Sequence, residues 1–467
     1  MALITSISGI RGTIGPGDDN LNPLNLISFL AAFKEELDQK KRTSKNLKIV
    51  LGRDGRSSGA MFLSLATSTL LSLGVDVLNL DLATTPTVEM TVILEKADGG
   101  VIISASHNPM NWNALKLLNS KGEFLDKETG ERVIARAKKG PIAFVAESKL
   151  GCLKNDFSYH FKHIDEILKL SLVKKSLIKS TPLKIVVDGV NSVGSLVVPQ
   201  LLKALGIKEI ISINSEIEGK FNHDPEPIEK NLKQLCQAVL KHQADLGLAV
   251  DPDVDRLAIV DDLGRPIGEE YTLVSVADYV FKNFSKFKNK YKAISVSNLS
   301  SSMALEDLSL RFGFKYQASA VGEINVVNKM KEVQAVIGGE GNGGIIYPEL
   351  HYGRDALVGI ALFLSYLVSS KQPCSELRKT WPQYFLLKEK IVLDSKVNID
   401  KLLNRLEKKY QDQEIIKIDG LKIIFKNERA WVHLRRSNTE PLIRIYCEAS
   451  SRSRAQNIFK EVSELLK

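Results

Sequence analysis

Apolar and polar positions along the chain fall into one pattern that occurs three times at domain-sized separations. In the first copy the apolar run Leu47-Lys48-Ile49-Val50-Leu51 leads into Gly52-Arg53-Asp54 and a helix-like segment ending at Leu73-Gly74. The second begins Leu183-Lys184-Ile185-Val186-Val187, passes through Asp188-Gly189 and ends an apolar helix at Leu205-Gly206. The third begins Ala293-Ile294-Ser295-Val296, passes through Ser300-Ser301-Ser302 and ends its helix near Phe312-Gly313. Each glycine stands where a helix C-cap belongs, and a second apolar run follows at Val75 to Leu80, Ile207 to Ile213 and Phe314 to Ala318. Strand, helix, strand is the βαβ unit of a parallel sheet, so the pattern predicts three similar α/β domains.

A further apolar run closes each copy in a loop rich in chemistry: Val101 to Pro109, Leu246 to Arg256, and Val336 to Gly344. Ligands bind at the carboxyl ends of strands in open α/β sheets, so the three loops are expected to face one cleft. From about Pro373 the pattern changes. A helix near Asp400 to Tyr410, a strand, the turn Asp419-Gly420, two more short strands and a final helix, Arg452 to Leu466, predict a small α+β domain. The expected boundaries are 1–150, 151–256, 257–370 and 371–467.

A chain of 467 residues, 44% hydrophobic and 25% charged, has room for several cores and holds no disordered low-complexity tract. The net charge of +9 is dispersed, with short clusters such as Lys40-Lys41-Arg42, which argues against nucleic acid and suits a phosphorylated small molecule drawn into a cleft. Cys152, Cys236, Cys374 and Cys447 lie far apart with no metal-ligand spacing, as expected in a reducing cytoplasm. Met1 to Ser6 lack the basic and apolar regions of an export signal. The apolar stretch Leu357 to Val368, interrupted by Gly359 and Ser365, is short for a bilayer and reads as a buried helix, so no membrane partner is expected.

The loops divide a chemistry between them. Ser104-Ala105-Ser106-His107-Asn108-Pro109 exposes a serine at the end of a buried strand, suited to carrying phosphate covalently. Asp251-Pro252-Asp253-Val254-Asp255-Arg256 sets three carboxylates at alternating positions with no nitrogen or sulfur ligand, the donor set of a hard cation, and Mg²⁺ is the natural choice beside a phosphate. In Gly338-Gly339-Glu340-Gly341-Asn342-Gly343-Gly344, one carboxylate and one amide suit sugar hydroxyls. Arg435-Arg436-Ser437-Asn438-Thr439-Glu440-Pro441, with Arg444 after it, reads as a phosphate cradle. Lys116, Arg11 and Arg256 are cationic candidates for neutralising phosphate, Lys116 or His107 for moving a proton, and Arg53-Asp54-Gly55-Arg56 is expected to fix a turn through an internal ion pair. Taken singly, each loop also fits a plain structural role: a solvated acidic turn or calcium loop, a flexible glycine loop, a polar hairpin.

Together with Ser8-Gly9-Ile10-Arg11-Gly12, these four loops, in this order and over essentially the whole chain, resemble the alpha-D-phosphohexomutase family. The resemblance implies three similar mixed or parallel-sheet α/β domains and a C-terminal α+β domain around a central cleft. It implies that Ser106 carries a phosphoryl group and that Asp251, Asp253 and Asp255 hold Mg²⁺ with a phosphoserine oxygen. Glu340 would bind sugar hydroxyls, and Arg435, Ser437, Asn438 and Thr439 the phosphate already on the substrate. Many relatives end the sugar loop in Ser-Gly-His where this chain has Asn342-Gly343-Gly344, which leaves Lys116, His107 or His351 for proton transfer. The expected activity is transfer between the 6- and 1-positions of a hexose through a bisphosphorylated intermediate, which also serves as activator. Glucosamine phosphate is favoured, with phosphomannomutase or phosphoglucomutase activity as the alternative. A Mg²⁺ phosphatase would not need both a carrier serine and a remote phosphate cradle, and a sensor without catalysis would need neither Ser106 nor the aspartates. A monomer or homodimer is expected.

Overall fold

The computed structural model describes residues 3–6, 9–17, 19–40, 45–140, 142–287, 290–392, 399–436 and 442–465. The chain forms two compact units, Met1–Lys286 with Asn342–Arg378, and Phe287–Gly341 with Lys379–Lys467.

The first unit holds two sheets. In the larger, the parallel strands Gly99–Ile103, Lys48–Arg53, Asp76–Leu82 and Leu153–Asn155 run side by side. Trp112–Leu118 adds antiparallel to Gly99–Ile103 and then to Gly9–Thr13. Lys48–Arg53 is apolar on both faces. Ile49 and Leu51 pack with Phe29, Phe33 and Phe62 on one side, and Val50 packs with Leu78, Val88 and Ile102 on the other. Such a strand belongs in the middle of a sheet covered by helices, here Pro23–Lys40 and Gly59–Ser72 on the first side and Thr85–Leu94 on the second.

The second sheet orders Leu257–Val260, Leu246–Val250, Lys184–Asp188 and Glu209–Ile213, parallel except for the antiparallel Leu257–Val260. The apolar stretch recognised in the sequence is the helix Ala356–Ser370, buried from Ala356 to Val368. Among the described residues no single helix is long and apolar enough to cross a membrane.

In the second unit Lys315–Ser319, Lys292–Asn298 and Ala335–Glu340 are parallel neighbours. A separate antiparallel sheet orders Phe385–Val392, Leu442–Ala449, Ala430–Arg436, Leu421–Phe425 and Glu414–Ile416, covered by Ile399–Lys409 and Arg452–Leu465. This sheet has two more strands than the sequence pattern predicts. Phe385–Val392 went unseen because its middle, Lys388-Glu389-Lys390, is exposed on an edge strand and breaks the apolar run. The three repeat glycines, Gly74, Gly206 and Gly313, all adopt left-handed φ values, of +76°, +97° and +73°. They close their helices as the pattern predicted.

Candidate active site

The buried strand Gly99–Ile103 delivers Ser104 and Ser106 to its carboxyl end. Ser106 has φ +50°, a costly conformation for a residue with a Cβ, and a chain of polar contacts fixes it. Its amide donates to Ser104 Oγ at 2.9 Å, and Ser104 Oγ donates to Asp54 Oδ2 at 2.7 Å. Arg56 and Asp54 form the expected internal ion pair, at 3.1 Å, and both are buried. The guanidinium reaches further: it donates to the main-chain oxygens of Ser106 at 2.5 Å, Asn108 at 2.6 Å, Pro109 at 2.7 Å and Trp112 at 3.2 Å. One planar fork thus holds the whole serine loop, as a single-point lysine could not.

The acidic loop follows the fully buried strand Leu246–Val250, and its Val254 also has a left-handed φ, +62°. Ser106 Oγ donates to Asp251 Oδ2 at 2.6 Å, while Asp251 Oδ1 accepts from the amides of Asp255 and Arg256, both at 3.1 Å. Asp253 Oδ2 accepts from Lys116 Nζ and Thr85 Oγ1, each at 2.5 Å. Asp255 Oδ2 accepts from Arg354 Nη2 at 2.6 Å, with Lys116 Nζ 3.6 Å away. Ser192 ties this loop to the Arg56 turn: its Oγ accepts from the Gly55 amide at 2.9 Å and donates to the Pro252 carbonyl at 2.6 Å.

All three aspartates have no solvent exposure, and ligand oxygens from the three lie within 4.8 Å of one another. Burial, then the Asp255 and Asp253 charges, push the Asp251 carboxyl well above its ordinary range. Burial acts the same way on Asp253, but Lys116 and the hydrogen bond from Thr85 overcome it and hold that carboxyl low. Asp253 Oδ1 and Asp255 Oδ1 are buried with no hydrogen-bond partner, and Arg256 Nε comes no nearer than 3.7 Å to the latter. Two orphaned carboxylate oxygens beside a third carboxylate fit a hard divalent cation in place of the missing donors.

The charges of Arg256, Arg11 and Arg354 reach the serine loop at His107. Arg11 Nη1 donates to Asn108 Oδ1 at 3.4 Å, and Arg256 Nη1 lies 3.8 Å from Glu226 Oε1. His107 Nδ1 stands 3.3 Å from Ser106 Oγ. Enclosure of its ring, then the charges of Arg256, Arg11 and Arg354, hold His107 well below the usual imidazole range, so the ring is neutral.

Four family models match the chain in order: phosphoglucomutase/phosphomannomutase alpha/beta/alpha domain I at residues 3–141, domain II at 159–264, domain III at 269–384, and the C-terminal domain at 393–465. The chain belongs to the alpha-D-phosphohexomutase family. It is 34% identical over 461 residues to a phosphoglucomutase/phosphomannomutase of Thermococcus kodakarensis, covering 98% of each chain. A phosphoglucosamine/phosphogalactosamine mutase of Sulfurisphaera tokodaii is 32% identical over 433 residues, covering 90% of this chain and 92% of that one. The crystal structure of a phosphoglucomutase/phosphomannomutase family protein from Burkholderia thailandensis shares the fold with a TM-score of 0.82 at 24% identity, over 99% of this chain and 98% of that one. The architecture is that of three α/β domains and a C-terminal α+β domain, and the activity is that of a phosphohexomutase, an isomerase.

In the second unit of this phosphohexomutase, Glu340 ends the strand Ala335–Glu340, and its Oε1 accepts from Asn298 Nδ2 at 2.7 Å and the Gly322 amide at 3.1 Å. Arg435 pairs with Asp419 at 2.9 Å. It stands opposite Arg444 in the antiparallel ladder, and Arg444 stands opposite Lys390 on the next strand. Like charges in one row oppose each other, so a row of three cations suits an anion. Ser437, Asn438 and Thr439, expected to complete the cradle, lie outside the described residues, as does Ser8. In the first unit Asn342 Oδ1 accepts from the Gly344 amide at 3.2 Å, a bond within its own turn. His351 is buried between Asp355, at 3.3 Å from its Nε2, and Glu89, at 3.4 Å from its Nδ1; His163 Nε2 meets the same Asp355 oxygen at 3.0 Å.

Sequence reasoning missed Thr85, Ser192, Arg354 and Lys390, and gave Arg56 only half its role. Arg354-Asp355 just before the apolar helix was the one local signal, since aspartate there marks an N-cap; Asp355 Oδ1 indeed accepts from the Leu357 and Val358 amides.

Proposed function

We propose that this phosphohexomutase moves a phosphoryl group between the 6- and 1-positions of a hexose through phospho-Ser106 and a bisphosphorylated sugar, and that its preferred pair is glucosamine 6-phosphate and glucosamine 1-phosphate. The observation that carries the mechanism is Ser106 Oγ at 2.6 Å from Asp251 Oδ2, beside two further buried carboxylates. The free hydroxyl of the substrate attacks phosphorus on Ser106. The bond from phosphorus to Oγ breaks as the bond to the sugar oxygen forms, the hydroxyl proton passes to a base, and Oγ takes up a proton as it leaves. The bisphosphate turns round, and its other phosphate returns to Oγ, leaving the isomerised monophosphate.

In the return step Ser106 Oγ loses a proton, and His107 Nδ1, neutral and 3.3 Å away, is placed to accept it. Arg11 and Arg256 neutralise the oxygens of the moving group, and Lys116 balances Asp253 and Asp255. Asp251, Asp253, Asp255 and a phosphoserine oxygen would hold Mg²⁺, which supplies charge stabilisation to phosphoryl transfer. Glu340 and Asn342 bind sugar hydroxyls, and the cradle of Arg435, Ser437, Asn438, Thr439 and Arg444 grips the phosphate that is not reacting. A hexose 1,6-bisphosphate acts as activator by phosphorylating Ser106. With its four cysteines unpaired, the enzyme works in a reducing cytoplasm on a free phosphosugar, as a monomer or homodimer, without nucleic acid or membrane.

The sugar assignment draws on the sugar loop and on the name of the Sulfurisphaera relative. The name of the Thermococcus relative favours a second reading, glucose or mannose phosphate. ³¹P NMR of the Mg²⁺-loaded protein, with equimolar glucosamine, glucose and mannose 6-phosphates and a trace of hexose 1,6-bisphosphate, separates them. The glucosamine 1-phosphate signal is expected to grow fastest. A lead by glucose or mannose 1-phosphate overturns the sugar assignment, and release of inorganic phosphate alone overturns the mutase mechanism.

A further inference from the structure

The second and third aspartates of the acidic loop, Asp253 and Asp255, are held alike. Lys116 takes Asp253 Oδ2 and Arg354 takes Asp255 Oδ2, and in each the other oxygen, Oδ1, is buried without a hydrogen bond. Arg354 comes from a part of the chain the acidic loop does not touch in sequence, and its place is set from both sides. The Asp355 amide donates to the Ile345 carbonyl at 2.9 Å, and the Ala356 amide donates to the Val254 carbonyl, inside the acidic loop, at 3.2 Å. Its side chain lies across Gly344: a Cβ at that position would stand 2.3 Å from Arg354 Cδ. Any residue other than glycine at 344 therefore displaces the arm that reaches Asp255.

We infer that Arg354 is a positioning residue that makes Asp255 a one-oxygen ligand and so biases the cation site toward Mg²⁺ and against Ca²⁺. A carboxylate with one oxygen engaged by a buried guanidinium offers only the other to a metal. Mg²⁺ accepts single oxygens in a small octahedron, whereas Ca²⁺ takes more ligands at longer range and gains from carboxylates that bind through both oxygens. Freed from Arg354, Asp255 can turn both oxygens to the cation, which favours the larger ion. This inference rests on the reading that the three aspartates hold a divalent cation.

Calorimetric titration of the full-length protein with MgCl₂ and with CaCl₂ tests it on wild type, Arg354→Met, Arg354→Lys, Gly344→Ala and Asp251→Asn, each checked for native circular dichroism. Wild type is expected to bind Mg²⁺, and Asp251→Asn to lose that binding; failure of either overturns the metal reading itself. With those in hand, Arg354→Met is expected to shift the ratio of Mg²⁺ to Ca²⁺ dissociation constants by about tenfold or more toward Ca²⁺. Gly344→Ala, which keeps the arginine but displaces its arm, is expected to shift it the same way, and Arg354→Lys to recover part of the wild-type ratio. An unchanged ratio in both folded Arg354→Met and Gly344→Ala overturns the role of Arg354 and leaves the metal reading standing. Should Arg354→Met not fold, Gly344→Ala decides alone.

Discussion

The Arg56 guanidinium donates to the main-chain oxygen of Ser106 at 2.5 Å, from a position 50 residues earlier in the chain. The same group pairs with buried Asp54, whose carboxyl burial raises above its ordinary range even against the Arg56 charge and the Ser104 hydrogen bond. Arg56→Met leaves that carboxylate without its partner and is expected to cost about 3–5 kcal/mol, measured by urea unfolding. Arg56→Lys keeps the charge but loses the fork, so its kcat is expected to fall at least ~10-fold with a much smaller loss of stability. Wild-type turnover in Arg56→Lys would contradict the clamp.

Ser106→Ala removes the carrier and leaves the binding loops in place. Turnover is expected to drop by ~10⁴-fold or more, while calorimetry still detects binding of the sugar phosphate. Loss of binding together with turnover would point to a structural role for the serine instead.

The cation row of Arg435, Arg444 and Lys390 leads to a prediction in the second unit. Arg444→Ala removes a charge-assisted contact worth about 1.5–3 kcal/mol, so KM for the sugar phosphate is expected to rise by ~10- to 100-fold with a smaller change in kcat. Steady-state kinetics reads the two separately.

His433 makes the stability of the second unit sensitive to acid. Its Nδ1 lies 3.0 Å from Ser300 Oγ and its Nε2 2.6 Å from the Asp419 carbonyl oxygen, so the neutral ring, protonated on Nε2, satisfies both. Burial lowers its pKa from 6.5 to about 4, with the Lys422 and Arg435 charges acting the same way and the Asp419 carbonyl opposing. The unfolded chain therefore binds a proton at this residue at higher pH than the folded one. Its contribution is fully present above pH 6.5 and is lost as pH falls toward 4, by up to ~3 kcal/mol. His433→Gln is expected to flatten this limb of a Tm profile taken between pH 4 and 7; an equally steep limb in the variant would assign the effect elsewhere.

Asp355 serves two structures at once, capping the helix Ala356–Ser370 with one oxygen and meeting His163 and His351 with the other. Burial works against its charge, but the two imidazoles hold the carboxyl well below its ordinary range. Asp355→Ala loses the cap and both partners and is expected to destabilise the fold by about 3 kcal/mol or more. Denaturant unfolding with no change in midpoint would refute the shared role.

What the chain determined by itself was local. A strand's apolar run, the glycine that closes the following helix and three aspartates at alternate positions are each set by neighbours a few residues apart, so they stand in plain view in the sequence. The serine and acidic loops were legible as separate chemistries for the same reason. Their union was decided by tertiary structure: Ser106 meets Asp251 across 145 residues, Lys116 meets Asp253 across 137, and Arg354 meets Asp255 across 99. No residue type announces such a partner, because a buried arginine and a surface arginine are spelled alike. Only the packing of the strands removes water from these groups, and that removal makes each polar contact obligatory and leaves Asp253 Oδ1 and Asp255 Oδ1 buried without a hydrogen bond.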